Sequence, residues 1–174
     1  MSRNGLGFLP HYTLRCPVPE DAERCHAIET VAYEGDEAAT LAKIARRIES
    51  YPEGFMVLET ADGVAGFINS ASTDRVRMTD ETFKDLVGHD PAGRHNVILS
   101  VVVHPDFQGL GIAAILMHNH ILRMRRFGKE TIQLMCRERH VGLYEKFGFA
   151  YRRRSESAHG GMEWHEMALE LSKC

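Results

Sequence analysis

No apolar run in this sequence approaches the roughly 20 residues that a membrane-crossing helix needs, so no span and no membrane partner are expected. Cysteine is sparse. Cys16, Cys25, Cys136 and Cys174 are scattered, form no C-x-x-C pair and follow no secretory segment, which points to free thiols in a reducing, cytoplasmic setting. A basic excess is missing too: 21 Lys and Arg stand against 24 Asp and Glu, a formal net charge of -3 that excludes a general nucleic-acid surface. Neither G-x-G-x-x-G nor G-K-[ST] occurs, so the dinucleotide fingerprint and the P-loop are excluded, and no internal repeat or low-complexity tract is present. Tryptophan occurs once, at Trp164.

What is there suits one domain: 174 residues at 44% hydrophobic can bury a stable core. Residues 1–12 hold glycines, a proline and no sustained period, and read as a flexible arm ahead of a domain over 13–174. A first strand is expected near 13–16. Pro19, Glu20 and Asp21 then open a helix with Ala22, Cys25, Ile28 and Ala32 inward. A second helix is predicted from about Asp36 to Pro52, with Leu41, Ile44, Ala45 and Ile48 inward and Lys43, Arg46, Arg47 and Glu49 on a solvated face. Asp62-Gly63 between 55–59 and 64–70 has the grammar of a hairpin. A polar excursion with a short helix after Thr79 follows, then a buried central strand over 97–104 in which nearly every position is apolar. Ala113, Leu116, Met117, His120, Ile121 and Met124 share one face of the next helix. A strand over 131–136, a helix over 138–147 stopped by Gly148, and closing strands over 149–153 and 162–171 complete a mixed α/β sheet, not an all-parallel one.

The join in "LSVVVHPDFQGLGIAAILMHNHIL" (99–122) carries the first chemical signal. A strand entering a helix through a short loop aims unpaired helical N–H groups, and the dipole, at whatever lies beyond the strand's end. An anion suits that place. Gly109 and Gly111 permit close backbone approach and Ala113 keeps the helix surface low, so the amides of Gln108, Gly109, Leu110, Gly111, Ile112 and Ala113 can cradle a pyrophosphate. The ordinary reading, a tight turn that uses glycine, stands beside it.

Gln108-x-x-Gly111-x-Ala113 after an apolar strand resembles the Q/R-x-x-G-x-G/A signature of the GNAT superfamily of acetyl-CoA-dependent N-acetyltransferases, and "LMCRERHVGLYEKFGFA" (134–150) is similar to that family's later strand and helix. Within it, "LRCPVPEDA", "IETVAY" and "HGGMEWHEMAL" resemble the arylalkylamine (serotonin-type) enzymes, nearer the fungal and protist-like branch than the vertebrate one. The resemblance implies the GNAT fold, a mostly antiparallel mixed sheet with a central splayed parallel pair flanked by helices. It implies acetyl-CoA as co-substrate, no metal, and direct transfer to a small-molecule amine. Backbone groups of Val101, Val102 and Val103 would hold the pantetheine arm, and Tyr144 occupies the family's acid position, where a phenol can protonate the leaving thiolate. As an ordinary residue Tyr144 is a core aromatic beside Leu143 and Phe147.

The base is where this chain departs from its relatives. Val97 and Leu99 stand where vertebrate members carry an H-x-H pair, and neither accepts a proton. His95, in the preceding loop, and His104, at the strand end, are poor substitutes. Ser100 can hold a water. Glu29 matches an acid in the family's first helix, at helical steps from His26 and Tyr33, and is the preferred base; its ordinary reading is a surface glutamate. Glu34, Asp36 and Glu37 are further candidates for attracting an amine, and Trp164 with Phe55 or Phe67 for lining an aromatic pocket. Met56 and Met78 read as packing residues. The expected function is acetylation of an arylalkylamine. The rivals are a polyamine or a protein or peptide amine as acceptor, and a non-catalytic acyl-CoA-binding domain. Oligomeric state is left open.

Overall fold

A computed structural model describes residues 8–33 and 38–171. Among them the strands are β1 (Tyr12–Arg15), β2 (Phe55–Thr60), β3 (Gly63–Thr73), β4 (His95–Val103), β5 (Thr131–Cys136), β6 (Ala150–Arg154) and β7 (His165–Glu170). The helices are α1 (Asp21–Ala32), α2 (Leu41–Ser50), α3 (Ile112–Arg126) and α4 (Glu138–Lys146). The strands form one sheet in the order β1-β2-β3-β4-β5-β7-β6. Every neighbouring pair is antiparallel except β4 and β5, which is the expected mixed sheet with a central parallel pair.

Each face of the sheet is covered by helix. Ala22, Cys25 and Ile28 of α1 and Ile44 and Ile48 of α2 pack on Phe55, Val57, Phe67 and Val102. On the other face Leu116, Met117, Ile121 and Met124 of α3 pack on Met56, Ile68, Ile98 and Ile132. Full burial of such side chains stabilises by about 1.5–3 kcal/mol each, so α3 is held by its stripe rather than by propensity. Cys16, Cys25 and Cys136 are free thiols, and burial pushes Cys25 up to about 12 and Cys136 up to about 11. Neither buried thiol is a nucleophile at neutral pH.

The end of β4 is decided by a bulge. Asn69 of β3 faces Ser100, but Ser70 faces Ile98, so β4 carries one extra residue at Leu99. An extra residue bends its strand and increases the local twist. The parallel ladder with β5 lasts only through His95, Asn96 and Val97 against Thr131, Ile132 and Gln133, and the strands part beyond it.

Several expectations need correction. The second helix starts at Leu41, capped by the Thr40 hydroxyl, which accepts from Lys43 N (3.3 Å); its expected start at Asp36 lies outside the described residues, as do Glu34 and Glu37. Its inward face is Ile44, Arg47 and Ile48. Leu41 is 39% exposed and Ala45 is exposed, while Arg47, assigned to the solvated face, is 3% exposed. Phe55 and Phe67 stack on each other in the core, centroids 5.6 Å apart, and are fully buried there. His95 is the first residue of β4, bonded to Thr131 Oγ1 (2.7 Å), and not part of a loop. The first strand begins at Tyr12, one residue inside the expected arm. Residues 1–7 and 172–174 lie outside the described residues.

The entry to α1 is pinned by charge. Asp21 accepts from Arg15 Nη1 (2.8 Å) and Nη2 (3.0 Å) and from Val18 N (2.8 Å), tying β1 to the helix start. The Arg15 guanidinium holds the Asp21 carboxyl below its usual range. This stabilisation is therefore complete above the unfolded value near pH 4 and is lost as pH falls through the lower folded value. Asp21→Asn is expected to cost about 1–2 kcal/mol at pH 7 in urea unfolding, with the difference from wild type shrinking toward pH 3.

Candidate active site

Where β4 and β5 part, a cavity of about 390 Å³ opens. Leu99, Ser100 and Val101 line it from β4 and Leu134 and Met135 from β5, the positions that follow the last paired residues of each strand. Glu29 and Tyr33 close it from the α1 side, Tyr144 from α4, and Met78, Phe83, His159 and Trp164 from the connecting segments. The aromatic rings on its wall are thus those of Tyr33, Phe83, Tyr144 and Trp164, not Phe55 or Phe67, and Met78 belongs to the cavity rather than to ordinary packing. Trp164 Nε1 donates to the His159 carbonyl (2.7 Å), which fixes the indole against the turn at His159–Gly161.

Glu29 and Ser100 meet in this cavity. Glu29 is 1% exposed and therefore not a surface glutamate. Its Oε1 accepts from Ser100 Oγ (3.0 Å) and Ala39 N (3.2 Å), while Oε2 is buried with no partner among the described residues. Burial pushes this carboxyl above the usual carboxylate range, with the Ala39 N–H, the Arg47 charge and the Ser100 hydroxyl pulling it back. A buried carboxylate oxygen without a donor is costly unless a ligand supplies one. The arrangement can hold an ammonium, or take a proton from it, at Oε2.

Tyr144 stands across the cavity, its ring edge-on to Phe147 and Phe149 with centroids 6.4 Å and 5.9 Å away. Burial pushes its phenol well above the ordinary tyrosine value, so it remains protonated at neutral pH and is chemically a donor. His104 lies elsewhere, its Nδ1 accepting from Asp106 N (3.0 Å) at the start of a 3-10 turn, and neither it nor His95 lines the cavity.

The gap runs on to the start of α3. The Val101 carbonyl accepts from Tyr33 Oη (3.2 Å) and the Val103 carbonyl from Gln108 Nε2 (3.3 Å), so both face away from β3. Val102 lies between them, opposite Phe67, with its side chain in the core. Gly109 and Gly111 both adopt φ +81, a conformation that favours glycine, and a Cβ at either would meet open space. Gly111 caps α3 without a side-chain bond and no acid sits in the first turn, so the amides of Ile112 and Ala113 are open to an anion. Ile112, 1% exposed, anchors the turn in the core, and Leu110 is half-buried. These residues fit a pyrophosphate held by main chain, approached along a strand edge that side chains now occupy.

Other basic residues are engaged away from the start of α3. Lys129 donates to the carbonyls of Pro91 and Gly93 (both 2.6 Å), and Arg152, Arg153 and Arg154 lie against Glu170, Glu166 and Glu163. Among the described residues no cluster of His, Cys, Asp and Glu is placed to hold a metal, and no helix is long and apolar enough to cross a membrane.

The family model of the GNAT acetyltransferases matches residues 20–149. The chain belongs to the GNAT acetyltransferase family. It is 36% identical over 73 residues to the "uncharacterized N-acetyltransferase ycf52" of Porphyra purpurea, a match covering 42% of this chain and 40% of that protein. The chain thus matches less than half the length of that relative. It is 30% identical over 146 residues to the serotonin N-acetyltransferase of Mesocricetus auratus, covering 81% of this chain and 69% of that one. A solved GNAT-like decarboxylase, GphF with isobutyryl-CoA, superposes with a TM-score of 0.79 at 17% identity over 92% of this chain and 100% of its own, which shows the shared fold.

Because burial raises the Glu29 carboxyl, ionising it in the folded protein costs stability. That cost is absent below the unfolded value near pH 4.3 and grows as pH rises through the higher folded value. Glu29→Gln is therefore expected to flatten the curve of urea midpoint against pH between about pH 4 and 8. A variant curve parallel to that of wild type would show that Glu29 titrates as an ordinary surface group.

Proposed function

We propose that this chain is an acetyl-CoA-dependent N-acetyltransferase that passes the acetyl group directly to a small primary amine built on an arylalkyl frame. The observation that carries the reading is Glu29, which lines the cavity that opens where β4 leaves β5 and whose buried Oε2 has no partner among the described residues. The family membership and the GNAT-like protein carrying isobutyryl-CoA support an acyl-CoA in that gap. The match to a serotonin N-acetyltransferase supports the aromatic acceptor.

In this reading the Gly109 to Ala113 amides hold the pyrophosphate, and Val101 and Val103 offer backbone groups to the pantetheine amides once the Tyr33 and Gln108 side chains give way. Trp164 and Phe83 flank the acceptor's ring. An alkylammonium has a pKa near 10.4, so at neutral pH almost none of it is nucleophilic. Glu29 takes one proton through Oε2, and its raised pKa makes it a better matched base than an exposed carboxylate. The freed nitrogen lone pair attacks the thioester carbonyl, a C–N bond forms, and the C–S bond breaks as the tetrahedral intermediate collapses. Tyr144 donates its phenolic proton to the departing sulfur and regains one from the nitrogen through solvent.

The test is mass-detected N-acetyl product, alongside CoA thiol release, across aromatic amines, spermidine and a lysine peptide. Saturable turnover confined to the aromatic amines is expected. Tyr144→Phe is expected to keep acetyl-CoA binding and lose about 10²-fold or more in kcat, and Glu29→Gln to lose the limb in which kcat/KM rises with pH through the carboxyl's pKa. Tight acyl-CoA binding with no product from any amine, in wild type and both variants alike, would replace the enzyme by a binding domain.

A further inference from the structure

The cavity that Glu29 serves has an unexpected charge for a plain amine. Among the described residues its walls carry Lys43, Arg47, Arg77 and Lys84 against two carboxylates, Glu29 and Asp80. Part of this is answered locally, since Lys84 Nζ lies 3.4 Å from Glu81 and Lys43 Nζ 3.9 Å from Asp85. Among the described residues no carboxylate bonds to Arg47. Nη1 donates to Asn69 Oδ1 (3.4 Å) and Nε and Nη2 donate to the Lys84 carbonyl (3.3 Å and 3.1 Å), all neutral acceptors. Glu29 is near enough to act on Arg47 through its charge, yet spends its one bonded oxygen on Ser100 and Ala39.

A guanidinium has five N–H donors and three are used, so two remain, one on each terminal nitrogen, for an anion. Burying a guanidinium with no hydrogen-bonded anion is costly, and here the group lines a cavity rather than a sealed core. Asn69 and Ser100 are direct partners across β3 and β4 and share one face of the sheet. Arg47 reaches the first and Glu29 the second, so the two opposite charges are anchored on neighbouring strands in one cavity. A ligand that satisfies both has an ammonium and an anion, and a single small molecule in one cavity carries the two close together.

We propose that the acceptor is a free amino acid with an aromatic side chain, its amine on Glu29, its carboxylate on the N–H groups that Arg47 leaves unused, and its ring against Trp164 and Phe83. This rests on the N-acetyltransfer reading and narrows it: the arylalkyl frame keeps its carboxylate. Arg47 becomes the residue that separates an amino acid from the amine it yields on decarboxylation. No new bond chemistry is needed, because the carboxylate is bound and not transformed.

The experiment uses the wild-type chain and matched acceptors with acetyl-CoA: phenylalanine, phenylalanine amide and phenylethylamine, then tryptophan, tryptophan amide and tryptamine, scored by mass-detected N-acetyl product. The acid of each set is expected to exceed both its amide and its decarboxylated partner about tenfold or more in kcat/KM, mainly through KM. Arg47→Met is expected to abolish that preference, the acids losing about tenfold or more relative to their decarboxylated partners. Because Arg47 also ties α2 to β3, the wild-type comparison decides by itself if that variant does not fold. Equal or better turnover of the decarboxylated amines overturns the amino-acid assignment and leaves N-acetyltransfer standing. Absence of product from all six compounds overturns the assignment together with that reading.

Discussion

A β-bulge at Leu99 gives β4 one residue more than β3 can pair, and the geometry of the site follows from that mismatch. The parallel ladder to β5 ends two residues before it. Beyond the bulge, Val101 and Val103 turn their carbonyls from β3 toward a gap, where the side chains of Tyr33 and Gln108 reach them. The same slip brings Leu99, Ser100 and Val101 all to the cavity wall, which a regular two-residue alternation would not do. A strand that stayed straight would continue pairing with β5 and leave no place for a ligand between them.

Around this gap the protein maintains two ionisable groups at a cost in stability. Glu29 is buried with one oxygen unsatisfied, and Arg47 is buried with neutral acceptors for its bonds. Neither is a device that stabilises a fold, because an apolar pair of similar volume would do at least as well. The aliphatic packing of α1 and α2 on one face and α3 on the other supplies the reserve against which both can persist. Positioning falls to short, local bonds: Ser100 and Ala39 aim Glu29, Asn69 and the Lys84 carbonyl aim Arg47.

The sequence was most legible where a local rule and a tertiary need coincide. Thr131–Cys136 is a strand and Ile112–Arg126 a helix because periodicity and the Gly111 cap agree with burial. Glu29, Ser100 and Tyr144, named from separate stretches, do line one cavity. The bulge at Leu99 was hidden because a run of β-branched residues shows no alternation whose interruption could be seen. Arg47 was misread for a different reason. Helical spacing offers two overlapping stripes in α2, and the choice between them depends on the Lys84 carbonyl and Asn69, which belong to segments far along the chain. Phe55 and Phe67 carry the right chemistry for a pocket wall but alternate onto the face covered by α1 and α2, whereas Phe83 lies in a polar excursion where no periodicity marks it.

Amide hydrogen exchange of the wild-type chain with and without acetyl-CoA tests most directly whether the gap opened by the bulge is the seat of the acyl donor. Protection is expected at the amides of Val101, Val103 and 109–113, with His95, Asn96 and Val97, already paired to β5, unchanged. Binding of acetyl-CoA with no protection beyond Leu99, or with protection centred on another face of the sheet, would contradict the account.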